Sequence, residues 1–456
     1  MQVEWAQAVR QLRQELDGGD EQRHELRMIL RLLEQARLRQ RSHDAVACKK
    51  LAKASLVRST DLLQSIPFHQ VSRSLRCAHE LSSLLFASCL DVHSNMAEEA
   101  LKILDTTLLV SGAPSLNHHV HAMIHALVER IRLPSPPAGP ALPLHRTIPP
   151  PKVLHPVHAY HAREPPALHP FQRNHLLPSR PCILRGACAH WPALSGPRAW
   201  SVEALRERCG ARWVPVEVGG NYVEEGWGQR VMRFVDFVDG YVLGDGSRST
   251  GVGAADSDDA LSSDSQEGSE EESSNEDGAS CKDRKRYNQA ELPGLHHKKR
   301  RRDDEENTPV VGYLAQHNLF TQIPDLERDI MIPDYCHLSH RANDKGLNLD
   351  DSDSDYDLED TIVKISSWFG PAGTVSPLHT DPQMNLFAQV MGRKYVRLYS
   401  PSETHKLYPH AEGMMTNTSQ VDVECPDLNL FPNFQAGVFQ DCIVEPGDLL
   451  FIPVCA

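Results

Sequence analysis

SSWFGPAGTVSPLHTDPQMNLFAQVMGRKYVRLY, residues 366–399, pairs a histidine and an aspartate at the spacing of a metal site. Ile362 to Trp368 reads as a strand, Gly370 to Gly373 as a turn, and Thr374 to Leu378 as the approach to His379-Thr380-Asp381. In an extended segment, residues two apart point the same way, so both side chains can face one metal. Imidazole plus carboxylate begins the two-histidine, one-carboxylate set that leaves positions open on Fe(II). An isolated HxD is a weak signal in a chain with 24 histidines. The residues C-terminal to it strengthen the reading. Asn385 to Val390 and Lys394 to Tyr399 are expected to form a hairpin through Met391-Gly392-Arg393. Lys394 is then either a buried point charge for a cosubstrate carboxylate or an exposed hairpin lysine. Val444 to Pro453 reads as a Pro-Gly turn followed by an apolar strand. Short strands separated by such turns indicate an antiparallel jelly roll.

Outward from this stretch, the composition sets limits. At 456 residues the chain has length for two or three domains, and a net charge of −14 argues against a protein that coats nucleic acid. Eleven cysteines, scattered from Cys48 to Cys455 without a CxxC pair, suit a reducing compartment better than a disulfide scaffold. No apolar run approaches the roughly 18–20 residues of a membrane helix, and no secretory leader is evident, so the chain reads as soluble and intracellular.

Residues 1–133 read as a helical interaction domain. Trp5, Val9, Leu12 and Leu16 recur at helical spacing, and Gly18-Gly19 stops them. Leu26 to Leu33, Leu51 to Leu63, Leu81 to Phe86 and Met96 to Leu109 continue the pattern, the last opened by a capping box at Asn95–Glu98. A final helix is expected over Leu116 to Leu133. His121 and His125 lie one turn apart, a zinc-like spacing, but without the HExxH glutamate. With His118 and His119 they read as ordinary helix histidines. Residues 134–152 are a proline-rich linker, and 153–456 a second domain. In that domain Pro181 to Leu184 and Arg212 to Val218 read as strands, and Met232 to Tyr241 as a helix. Residues 244–308 are an acidic and then basic insertion that cannot bury enough apolar area to fold. Its runs Lys282–Arg286 and Lys298–Arg302 predict a nuclear protein and leave room for a cytoplasmic pool. Residues 350–360 read as a second acidic surface loop.

Four stretches carry a resemblance: residues 368–401, VPVEVGGNY from Val214, VGYLAQH from Val311, and NTSQVDVECPDL from Asn417. In these the chain resembles the Jumonji-C family of Fe(II)- and 2-oxoglutarate-dependent oxygenases. The likeness is strongest to a branch described as arginine hydroxylases and also as lysine demethylases and peptidases. It covers about Leu168 to Val454, the insertion excepted. It implies an α+β protein, with the helical domain followed by an antiparallel double-stranded β-helix of the cupin type. It implies that His379 and Asp381 are iron ligands, with no catalytic residue beyond the metal site. Tyr313, Ser376, Asn385 and Lys394 would hold 2-oxoglutarate, and Glu217, Trp227, Gln316 and Trp368 would line the substrate side. A carboxylate beside an aromatic face suits a guanidinium.

The implied cofactors are Fe(II), 2-oxoglutarate and dioxygen. The implied partner is a protein bearing an arginine or a methylated lysine or arginine, chromatin proteins included. Neither membrane nor direct nucleic-acid partners are expected. The family places its second ligand histidine just after the strand ending in FIPV, where this sequence has Cys455-Ala456. The expectation is therefore a jelly roll without its last strands and with two of three ligands, since His405 and His410 fall in the wrong loop. Such a chain is read either as an oxygenase, by hydroxylation or demethylation, or as a non-catalytic interaction protein.

Overall fold

The computed structural model describes residues 2–15, 21–67, 70–90, 96–135, 150–219, 227–244, 311–338, 363–413 and 415–454. Outside them lie Gly18-Gly19, Asn95, both basic runs, nearly all of the insertion, the acidic stretch 350–360, and Cys455.

Among the described residues, six helices form the first unit: α1 (Gln2–Glu15), α2 (Glu21–Arg41), α3 (Ala45–Ser65), α4 (Arg73–Ser88), α5 (Ala97–Val110) and α6 (Asn117–Val128). Their boundaries follow local chemistry. Asp44 accepts from the Ala47 N–H ahead of α3, and Ser72 from the Leu75 N–H ahead of α4, each an N-cap that satisfies an orphan donor. α4 is central and packs on α1, α2, α3 and α5. The buried Glu80 of α4 accepts from the backbone N–H groups of Ser115 and Leu116, at 2.8 and 2.6 Å, and so caps α6 from outside its own sequence. Two boundaries differ from expectation. α5 begins after Met96, which makes no side-chain cap bond, and Asn95 of the expected capping box lies outside the described residues. α6 stops at Val128, and Glu129-Arg130 turn away before the proline-rich segment.

The second unit contains β1 (Ala159–Tyr160), α7 (Leu168–Phe171), β2 (Cys182–Leu184), α8 (Val202–Cys209), β3 (Trp213–Val218), β4 (Gly228–Arg233), α9 (Phe234–Phe237), β5 (Gly312–His317), α10 (Leu319–Gln322), β6 (Ser367–Phe369), β7 (Asn385–Ala388), β8 (Lys394–Tyr399), β9 (Phe439–Val444) and β10 (Leu449–Ile452). The strands make a β1-β2-β10-β7 sheet, a β4-β3-β5-β6 sheet and a β8-β9 pair, an open cupin-like arrangement among the described residues. Three expectations fail here. β7 and β8 are not hairpin partners: β7 pairs with β10 and β8 with β9, antiparallel in both cases. The turn at Gly392, with φ +67°, carries the chain from one sheet to the other. Both strands have an apolar inner face, and each is covered by the opposite layer rather than by its neighbour in sequence. The strand expected from Ile362 shrinks to Ser367–Phe369. Met232 and Arg233 finish β4, and helix begins only at Phe234.

β3 shows why alternation works. Val214, Val216 and Val218 are buried with Phe234, Phe237 and Leu314 on one face, which leaves Trp213, Pro215 and Glu217 on the other. Farther along, the buried Asp441 of β9 accepts from the Leu154 and His155 N–H groups and the Tyr395 hydroxyl, tying the segment before β1 to the β8-β9 pair.

Candidate active site

Strand register settles which side chains share the interior. Glu217 pairs directly with Tyr313, so both project from the face opposite Val216 and Leu314. Leu314 pairs with Phe369, which packs with the Val216 side. Trp368, one residue earlier, therefore projects with Tyr313 and Glu217. On β8, Lys394 shares its face with Val396 and Leu398, which pack against Phe387 of β7. The open choice for Lys394 is resolved inward.

His379 and Asp381 face each other, with Nε2 and Oδ1 4.0 Å apart. Each is held by its other polar atom. His379 Nδ1–H donates to the Pro377 carbonyl at 2.7 Å, which turns Nε2 toward the aspartate. Asp381 Oδ2 accepts from the Asn385 amide at 2.6 Å. Metal-binding imidazoles and carboxylates are commonly oriented in this way by outer partners. The free donor set, one imidazole nitrogen and one carboxylate oxygen, fits Fe(II). Among the described residues no three His, Cys, Asp or Glu side chains converge as a metal site. His405 is exposed on a short helix, and the His410 N–H donates to the carbonyl of Thr418, the residue that bridges His379. In the helical unit, His125 meets Glu129 at 3.6 Å.

Lys394 Nζ donates to the Tyr313 hydroxyl at 3.2 Å and lies 5.7 Å from the ring centres of both Tyr313 and Phe387. No carboxylate among the described residues pairs with it. Burial holds its amine below the ordinary lysine value, because the charged form loses hydration. Tyr313 is pushed up to about 12 by burial, with the Ser376 side chain beside it opposing the shift, so the phenol stays protonated and able to donate. Gly370 makes this packing possible: a Cβ there would stand 2.7 Å from the Tyr313 ring. Tyr313, Ser376 and Lys394 thus come together as a donor-rich group in which no carboxylate among the described residues pairs with the lysine. Asn385 stands apart from them, bonded to the Asp381 carboxylate.

Among the residues expected to line a substrate, burial raises the Glu217 carboxyl above its usual range. Trp227 and Gln229 lie against it, the Trp227 indole N–H falling short of hydrogen-bonding geometry. Trp368 is exposed and tilts toward Phe387 at 6.5 Å. Gln316 is exposed and adopts φ +50°, left-handed backbone that costs a non-glycine residue about 1–2 kcal/mol. It is the extra residue of a bulge, since Leu314 to His317 on β5 spans Phe369 to Ser367 on β6. Gln229, Phe387 and the outer-partner role of Asn385 carried no motif in the sequence. Only the closeness of Asn385 to Asp381 along the chain hinted at the last.

The Cupin-like domain family matches residues 168–455. The chain is 38% identical to lysine-specific demethylase 8 of Xenopus tropicalis over 289 residues, 63% of this chain and 47% of that protein. It is 34% identical to lysine-specific demethylase 8 of Danio rerio over 371 residues, covering 79% and 70% respectively. It is 31% identical to Jumonji C domain-containing protein 5 of Drosophila melanogaster over 291 residues, covering 63% and 53%. The chain thus spans about half the length of the Xenopus and Drosophila relatives.

Proposed function

Because this chain belongs to the cupin-like JmjC family, we propose that it carries the site of a Fe(II)- and 2-oxoglutarate-dependent protein oxygenase that hydroxylates an arginine side chain. The observation that carries the reading is Lys394, a half-buried cation on the Tyr313 hydroxyl that no carboxylate among the described residues pairs, in a domain that also sets His379 and Asp381 face to face. A dicarboxylate with one end at Lys394 and the other toward His379 and Asp381 suits that arrangement. His379 Nε2 and Asp381 Oδ1 would hold the metal, and Asn385 orients the aspartate. Bound iron supplies oxidation of a C–H bond by dioxygen, with 2-oxoglutarate converted to succinate and carbon dioxide. The chain's own residues bind and orient. Lys394 and Tyr313 fix the cosubstrate, while Phe387 and Trp368 wall the pocket. Glu217, between Trp227 and Gln229, offers a carboxylate and an aromatic face to a guanidinium.

A second reading is N-methyl-lysine demethylation, favoured by the names of the Xenopus and Danio relatives. The same oxidation on an N-methyl group would release it. We place the protein in the nucleus on its two basic runs, with chromatin proteins as the partner class. The test is iron-dependent formation of succinate from 2-oxoglutarate with peptide, followed by mass analysis. One added oxygen on arginine is the expected product, and loss of a methyl from lysine would favour the second reading. Succinate no faster than from a His379→Ala control would overturn both.

A further inference from the structure

The buried contact between the helical unit and the jelly roll reaches the candidate site through one amide. Asp105 of α5 is fully buried and accepts Arg212 Nε and Nη2 at 3.0 and 2.5 Å, and the Trp213 N–H at 2.8 Å. Its Oδ1 also accepts from Gln322 Nε2 at 3.2 Å. Gln322, on α10 and 2% exposed, gives its other amide proton to the Trp213 carbonyl at 2.6 Å. Both donors are thereby committed to buried acceptors, and Oε1 is left to accept from His317 Nε2 at 2.7 Å. The amide cannot rotate without stranding buried polar groups, so it holds His317 in one place.

His317 closes the bulge. It pairs with Ser367, Leu314 pairs with Phe369, and Gln316 absorbs the extra residue in left-handed backbone. Such backbone persists where surrounding contacts over-determine it. Trp368 sits opposite the bulge on β6. We infer that the helical unit holds this bulge in register through Asp105, Gln322 and His317, which makes Gln322 and His317 positioning residues for Gln316 and Trp368. The functional consequence rests on reading that face as the substrate side; the mechanical clamp does not.

The test uses the full chain. Gln322→Met keeps the volume and leaves the Asp105–Arg212 pair in place. Amide hydrogen exchange at residues 314–317 and 367–369 is expected to rise roughly tenfold while α2 to α4 keep their protection. Affinity for an oligo-arginine peptide is expected to fall roughly tenfold, with 2-oxoglutarate affinity in the presence of Mn(II) unchanged within about twofold. A general loss of stability would move both affinities together. His317→Gln, which retains an amide donor for Gln322 Oε1, should keep wild-type exchange, and His317→Ala should reproduce Gln322→Met. Unchanged exchange at the bulge in Gln322→Met or His317→Ala would overturn the inference. Faster exchange at the bulge in a protein that binds 2-oxoglutarate in neither form would support the clamp and overturn the functional reading alone.

Discussion

Two cations withdrawn from solvent near the same sheet, one buried and one half-buried, have opposite surroundings. Arg212, 5% exposed, is forked onto Asp105 and bonded to the Gln322 carbonyl, so its charge and geometry are satisfied within the chain. Lys394 has a phenol and two ring faces, and no carboxylate among the described residues. Burying a charge is tolerable when it is paired and costly when it is not. The paired cation therefore marks a structural joint between the two units, and the unpaired one is the cation on which the proposed cosubstrate site rests.

The largest effect should come from unpairing the joint. Asp105→Ala or Arg212→Ala leaves a lone buried charge and should cost about 3–5 kcal/mol of unfolding free energy in urea. The double variant Asp105→Leu/Arg212→Met should recover most of that loss. Singles that cost under about 1 kcal/mol, as a surface pair would, break the contrast.

His79 extends it to the helical unit. This buried base has no hydrogen-bond partner for Nδ1, and burial lowers it from the ordinary 6.5 to about 4. It is neutral in the folded chain, whereas the unfolded chain takes up its proton below pH 6.5. Its contribution is thus present above that pH and lost as pH falls toward 4, about 3 kcal/mol in all. Urea unfolding at stepped pH should show this slope, and His79→Leu should flatten it.

Lys394→Met should reverse the pattern of the joint. Stability should hold or rise, while 2-oxoglutarate binding, by calorimetry with Mn(II), weakens about tenfold to a hundredfold, the worth of a charge-assisted hydrogen bond. With pH the sign is opposite for folding and binding. Between its lowered value and the ordinary 10.5, the unfolded chain holds more protons, so wild-type stability rises with pH; cosubstrate affinity falls as the ammonium is lost. A variant that loses stability without losing affinity would assign Lys394 to the core.

Asn385→Leu should have the smallest effect on the fold. Freeing Asp381 Oδ2 should weaken Mn(II) affinity by about tenfold to a hundredfold, read by competition with a chelating dye, with unfolding unchanged.

Much of the fold and site was legible in the residues alone. Period-3.6 apolar stripes gave α1 to α6, strict alternation gave β3, and the two-residue period of extended chain put the His379 and Asp381 side chains on one side, where they lie 4.0 Å apart. The β7–β8 hairpin was misread because a glycine turn between two amphipathic strands looks the same whether they pair or part into opposite sheets. Asp105, Arg212, Gln322 and His317 carried no local signal, being separated by up to 217 residues.

The sequence alone determined what depends on neighbours along the chain: helix and strand periods, caps, turns, and the donor types of a candidate iron site. The tertiary structure alone decided which charges are paired. Lys394 and Arg212 are both cations beside apolar residues in sequence, but pairing energy depends on distance and burial in space, and an aspartate on α5 reaches only one of them.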